Sequence, residues 1–166
     1  MAAPSFSSSF VYDVFLSFRG EDTRYSFTGN LYNALRDRGI HTFIDDEELR
    51  KGDEITSALE KAIEESRIFI TVLSQNYASS SFCLNELAYI LHCAKRKGLL
   101  VLPVFYNVVP SHVRHHTSSF GEALAAHEKR FKAKSQDFEL NMEKLEKWKI
   151  ALREAADLSG YHFKHG

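Results

Sequence analysis

The sequence predicts an α/β domain: a central parallel sheet of four to five strands with helices on both faces. Three observations predict it. Short apolar runs at 14–18, 40–44, 68–73 and 99–106 alternate with stretches of helical period, the pattern of βαβ units. The run at 68–73 is apolar throughout except for Thr71, as a strand buried on both faces requires. Polar residues gather in the turns directly after the runs, and in open α/β sheets ligands bind outside those strand ends.

The elements follow in order. The first strand, 14–18, meets a turn built around Gly20 that carries Arg19, Glu21, Asp22, Thr23 and Arg24. A helix comes next, with Phe27, Leu31, Ala34 and Leu35 on one face and Gly39 as its C-cap. The second strand, 40–44, leads into a charged loop, 45–52. Ile55, Ala58, Leu59, Ala62 and Ile63 give the cleanest helical period in the chain, with Asp53 as the expected N-cap. After the third strand, 68–73, Ser79-Ser80-Ser81 opens a helix marked by Leu84, Leu87, Ala88 and Leu91 and ended by Gly98. The fourth strand, 99–106, contains Pro103, which fits a bulge or a place near a sheet edge. Beyond Pro110 the pattern weakens. Residues 120–131 read as helix, Gln136-Asp137 as a loop, and Leu145, Trp148, Leu152 and Ala155 mark a last amphipathic helix. Pattern alone places no fifth strand, and no internal repeat occurs.

The 166 residues suit one domain with a substantial core. Lys plus Arg number 21 against 22 Asp plus Glu, so nothing in the net charge of -1 supports bulk affinity for nucleic acid. No apolar run approaches the length of a membrane span. Residues 1–10 are serine-rich, lack the layout of a signal peptide and read as a disordered lead-in to a domain at 11–163, with a tail at 164–166. Cys83 and Cys93 stand ten residues apart on one predicted helix. That is about 15 Å along the axis, too far for a disulfide, and unpaired cysteines fit a reducing cytosol.

Several chemistries find no support. No Gly-x-x-x-x-Gly-Lys-Ser/Thr, Gly-x-Gly-x-x-Gly or Gly-x-Ser-x-Gly is present. A phosphorylation receiver needs acidic residues where Ser17-Phe18-Arg19 and Ser74-Gln75-Asn76 stand. His112, His115 and His116 lack a nearby cysteine or a loop-helix ligand set, so no metal is expected. The four post-strand loops are expected to converge on one sheet edge, with Arg19, several serine hydroxyls and helix N-termini near Thr23, Asp53 and Ser81 facing a phosphate-bearing ligand.

The turn after the first strand belongs to a longer run, Tyr12-Asp13-Val14-Phe15-Leu16-Ser17-Phe18-Arg19-Gly20-Glu21-Asp22-Thr23-Arg24. It is followed by Phe43-Ile44-Asp45-Asp46, Leu49-Arg50-Lys51-Gly52-Asp53, Tyr77-Ala78-Ser79-Ser80-Ser81-Phe82-Cys83-Leu84-Asn85-Glu86-Leu87, and Leu102-Pro103-Val104-Phe105-Tyr106 with Pro110-Ser111-His112. These motifs, in this order, resemble the Toll/interleukin-1 receptor (TIR) domains that begin plant intracellular immune receptors. The resemblance implies a flavodoxin-like fold and an NAD+ glycohydrolase activated by self-association, signalling immune cell death. The competing implication is a non-catalytic adaptor that works through homotypic TIR contacts.

Residue by residue, the resemblance makes Glu86 catalytic, although a glutamate on a helix otherwise reads as a solvated side chain. Phe82 lies four residues before it, one turn away, and stacks on nicotinamide or adenine or simply packs. Arg19 is expected to face ligand phosphates or ribose, or else to pair with Glu21 or Asp22 on the surface. Ser17, Phe18 and Gly20 line the floor. Ser80 contacts the ligand or starts the helix. Asp45 opens a loop that resembles the family's mobile BB-loop. NAD+ is the implied substrate, with NADP+ a second candidate, and no bound cofactor is implied. The implied partners are other TIR domains and further copies of this chain, met through the first helix, the region after Pro110 and the last helix; no membrane is implied. The implied location is cytoplasmic or nucleocytoplasmic. Two departures stand out: Gly29-Asn30 replaces a frequent Ser-His in the first helix, and Val109 replaces a frequent Asp before Pro110-Ser111.

Overall fold

Apolar runs of five to eight residues that must hide both faces leave a chain one economical solution, a sheet sandwiched by helices. The computed structural model describes residues 10–45, 54–134 and 136–164. Its strands are β1 (Tyr12–Phe18), β2 (Thr42–Ile44), β3 (Ser66–Leu73), β4 (Leu100–Tyr106) and β5 (Tyr161–Phe163). Its helices are α1 (Gly20–Thr23), α2 (Phe27–Asp37), α3 (Ser57–Glu64), α4 (Ser81–Lys97), α5 (Pro110–His115), α6 (Ser118–Ala133) and α7 (Phe138–Asp157). The sheet order is β2-β1-β3-β4-β5, and every pair is parallel. This is the flavodoxin-like arrangement, with five strands. Residues 1–9 of the expected lead-in, residues 165–166 of the expected tail and most of the 45–52 loop lie outside the described residues. Phe10, assigned to the lead-in, lies 5.6 Å from the Arg67 guanidinium.

Two strands begin later than their apolar runs, for one shared reason. Gly39 and Gly98 both take positive φ and close a helix. The next residue then gives its N–H back to that helix: Ile40 to Leu35 at 3.0 Å and Leu99 to Ala94 at 2.8 Å. Ile40 and Leu99 therefore belong to caps, and β2 and β4 start beyond them. The expected N-cap Asp53 lies outside the described residues. Thr56 caps α3, its side chain accepting from the Leu59 N–H at 3.2 Å. Ile55 consequently precedes the helix. Pro103 is level with Thr71 in β3, and β5 begins to pair only at the next residue, Val104. A proline is tolerated there because β4 is still an uncovered edge on that side. Gly160 runs past it so closely that a Cβ would collide with the Pro103 carbonyl.

The alternation of β1 divides the core. Val14, Leu16 and Phe18 join Val72, Val104 and Tyr106 under α2 through Phe27, Leu31 and Leu35. Phe15 joins Phe69 and Val101 on the other face, under Leu59, Ala62 and Ile63 of α3 and Phe82, Ile90 and Cys93 of α4. A third cluster, built around Trp148, Phe120, Leu84 and Tyr77, locks α6 and α7 onto α4. On the outside, Glu64 ties α3 to α4 by pairing with Arg96 at 2.7 Å and Lys97 at 2.9 Å. Burial works against the Glu64 carboxylate, but the hydrogen bonds and charges of Lys97 and Arg96 outweigh it and hold its pKa below the ordinary value. Tyr89, which donates to Glu64, is pushed up to about 12 by burial and by that carboxylate. Cys83 and Cys93 are both buried, and neither forms a disulfide.

Candidate active site

The site is built on the first two turns of α4. Ser80 starts that helix, its hydroxyl accepting the Cys83 N–H at 3.1 Å. Of its two expected roles, the structure shows the cap. Helical spacing then puts Phe82 and Glu86 on one side, facing β1. Glu86 is only 2% exposed, so it is not a solvated helix glutamate. The Ser17 hydroxyl, wholly buried at the end of β1, donates to Glu86 Oε1 at 2.5 Å. Tyr77 reaches the same hydroxyl at 2.7 Å and also donates to the Cys83 carbonyl at 3.2 Å.

Leu16, Phe18, Asp45, Phe82 and Glu86 line one narrow cleft, too tight to admit a water molecule. Five of the expected site residues are thus brought together: Ser17, Phe18, Asp45, Phe82 and Glu86. Of its two expected roles Phe82 shows the packing, at 6% exposure with the α3 and α4 core, and it also lines the cleft. Arg19 stands apart. Its guanidinium pairs with Glu21 at 3.1 Å, the surface alternative, while its Nε is buried without a hydrogen-bond partner among the described residues. Gly20 is buried as the first residue of α1.

Between β1 and β3, the usual ligand position for this strand order, Asp22 fills the gap. It accepts from the Ser74 hydroxyl at 2.6 Å, the Asn76 N–H at 2.8 Å and the Asn76 side-chain amide at 2.9 Å. The cleft that remains is shifted toward β2. Its ionisable lining is two carboxylates, Asp45 and Glu86, so the chemistry it offers suits a cationic aromatic ring better than a phosphate. Arg24 borders it from outside, donating to the Asp45 carbonyl at 3.0 Å and standing 5.0 Å over the Phe18 ring.

Tyr77, Asp22 and Arg24 are the residues that sequence reasoning missed as parts of the site. Each sat inside a recognised motif, but nothing in the motif says which distant group it touches. Among the described residues no group of three His, Cys, Asp or Glu side chains could hold a metal ion. Of the three clustered histidines, His116 instead meets the Lys149 carbonyl at 2.9 Å.

The family model of the TIR domain matches residues 11–166. The chain belongs to the TIR domain family. This TIR domain is 52% identical over 161 residues to disease resistance protein RPV1 of Vitis rotundifolia and 51% identical over 160 residues to TMV resistance protein N of Nicotiana glutinosa. Those alignments cover 97% and 96% of the chain but only 11% and 13% of the relatives' length. Among solved structures it is similar to the TIR domains of the activated Roq1 resistosome, which directly recognises the pathogen effector XopQ. The TM-score is 0.80 at 45% identity, covering 92% of this chain and 87% of that one. Relatives and fold thus agree with the motifs: the chain is a flavodoxin-like TIR domain of the plant disease-resistance kind.

Val109 precedes α5 with no side-chain cap, as the loss of a frequent Asp implies. Gly29 has a local reason: a Cβ there would collide with the Arg24 carbonyl. Among the described residues, no helix is long and apolar enough to cross a membrane.

Proposed function

We propose that this TIR domain is an NAD+ glycohydrolase, with NADP+ as a second candidate substrate. One observation carries the reading: a buried carboxylate, Glu86, ends in a small cleft at the carboxyl edge of the sheet beside an aromatic ring, Phe82, and a second carboxylate, Asp45. The nicotinamide of NAD+ is cationic and aromatic, which matches that lining.

The bond broken joins ribose C1′ to the nicotinamide nitrogen. The bonding pair leaves with nicotinamide, which departs neutral, so no strong acid is needed. Positive charge develops on the ribose, as in other glycosyl transfers. The Glu86 carboxylate stabilises that charge and accepts hydrogen bonds from ribose hydroxyls. Water attacks C1′, loses a proton to solvent and gives ADP-ribose; attack by the adenine gives cyclic or variant products. Arg19, outside the cleft, is the cation for the phosphates.

Pockets that enclose a drug-sized ligand span about 300–1,000 Å³. The cleft beside Glu86 has no room for a water-sized sphere, so as it stands it holds no part of a dinucleotide. We therefore propose that the pocket is completed when a second copy of the domain docks. Contacts would run through α2, the region after Pro110 and α7, where Leu140 and Ile150 are exposed. The relatives' names support an output in disease resistance, and the proposed setting is cytoplasmic or nucleocytoplasmic.

The small cleft also favours a second reading, an adaptor that works by TIR contacts alone. NAD+ consumption by concentrated protein, with Glu86→Ala alongside and products separated by chromatography, decides between them. Turnover lost in the variant supports the enzyme. No turnover while light scattering shows assembly sinks it in favour of the adaptor.

A further inference from the structure

A glutamate has three side-chain torsions, and a carboxylate that must face one ribose carbon needs them fixed. Among the described residues a chain of two hydroxyls, Ser17 and Tyr77, leads to Glu86. Ser17 has a single proton, and it goes to Glu86 Oε1. The 2.7 Å contact between Ser17 and Tyr77 must then have the phenol as donor, shared with the Cys83 carbonyl. Tyr77 donates, Ser17 passes the polarity on, and Glu86 accepts.

Tyr77 is itself held on every side. It is 0% exposed and opens the 3-10 turn Tyr77–Ser79. Its N–H bonds the Ser74 carbonyl at 3.1 Å, and its carbonyl accepts from Ser80 at 3.2 Å. The preceding residue, Asn76, is bound twice by Asp22. The following residue, Ala78, has its carbonyl bonded by His127 Nε2 at 2.8 Å, and that histidine is 2% exposed. The phenol oxygen is therefore a fixed point to which the Ser17 hydroxyl is referred.

We propose that Tyr77 is a positioning residue for the reaction: through the Ser17 hydroxyl it fixes the orientation of the Glu86 carboxylate. The proposal rests on the glycohydrolase reading for its kinetic consequence, but not for its structural one. Tyr77→Phe removes one oxygen from a packed ring and leaves the volume in place. Its expected effect is a fall in kcat of roughly 10–100-fold, the scale of a sub-ångström to 1 Å misplacement, with KM held within about threefold.

The test is a double-mutant cycle. Tyr77→Phe, Ser17→Ala and the pair are assayed for NAD+ turnover, with thermal midpoints recorded. If Tyr77 acts through Ser17, the pair loses no more than Ser17→Ala alone; additive losses overturn the proposal. A second readout needs no turnover. The carboxyl carbon resonance of Glu86, assigned by its loss in Glu86→Gln, moves in both Tyr77→Phe and Ser17→Ala. A resonance that moves in Ser17→Ala and stays still in Tyr77→Phe overturns the relay. A resonance that moves in both, in an assembled protein without turnover, sinks the enzyme reading and leaves the relay standing.

Discussion

The two gaps beside β1 at the carboxyl edge of the sheet are finished in opposite ways. On the β3 side, Asp22 meets three donors from Ser74 and Asn76, and the crevice is closed. On the β2 side, Leu16, Phe18 and Phe82 line a narrow cleft together with two acidic residues, Asp45 and Glu86. In the first gap the polar groups satisfy one another, which is how a protein makes a joint. In the second, a charge is kept out of water by the apolar lining and by hydroxyls behind it, which is how a protein prepares a reagent. Two carboxylates of one edge thus have different work, set by their surroundings.

Glu86→Ala should break the contrast most visibly. NAD+ turnover is expected to fall on the order of 10³-fold or more, the upper range for losing a group that meets transition-state charge. Stability should change little, because relief of a desolvated carboxylate and the loss of its contacts pull in opposite directions. Calorimetry beside the turnover assay checks both halves.

Asp22→Ala should show the reverse pattern. Hydrogen bonds to a charged acceptor are the strong ones, and three are lost together. The expected cost is about 3 kcal/mol, or roughly 10 °C in thermal midpoint for a chain of this size. Turnover per folded molecule should persist well below that midpoint. A variant that keeps its stability would show that the Asp22 joint is not one.

Arg24→Met tests the border between the two gaps. It removes the hydrogen bond to the Asp45 carbonyl and the charge over Phe18 while keeping most of the volume. The expected loss is about 1 kcal/mol, with KM for NAD+ moving more than kcat. An unchanged KM would remove Asp45 from the substrate's path.

Glu64→Gln is the control, on the far side of α4, and should have the smallest effect. Glu64 is partly exposed and screened, so the loss stays below about 1 kcal/mol. Its folded pKa lies below its unfolded one, so its contribution is present above the unfolded value and disappears as pH falls through the folded one. Denaturation followed at neutral pH and again below about pH 4.5 should show the variant and the parent converging in acid.

The frame of this comparison was legible in the sequence. Strands at 14–18 and 68–73 declare themselves because runs buried on both faces are almost wholly apolar, with one polar residue each, Ser17 and Thr71. Ser80 was legible as a cap because capping is local. The Asp22 joint was not, since its partners lie 52 and 54 residues away and no local pattern encodes which loop will come to rest against it. β5 escaped for a different reason. Tyr161, His162 and Phe163 are all exposed, and what makes them a strand is non-local: their backbone pairs with Val104, Phe105 and Tyr106, and the Phe163 ring stacks on Tyr106. Glu86 as a buried group was hidden too: its α4 neighbours read as ordinary helix, and the β1 hydroxyl of Ser17 that meets its carboxylate lies 69 residues away.

Trp148 has a consequence of another kind. It is the sole tryptophan of the chain, 1% exposed on α7, and its indole N–H donates to Asn85 at 2.9 Å, beside Glu86 in sequence. The His127 ring lies 5.0 Å from it. Excited selectively, the protein emits from a single place, wedged between α7 and the helix that carries the candidate catalytic carboxylate. Intrinsic fluorescence is therefore an unlabelled local gauge of that contact, able to follow α7 against α4 while substrate is added or copies of the chain come together.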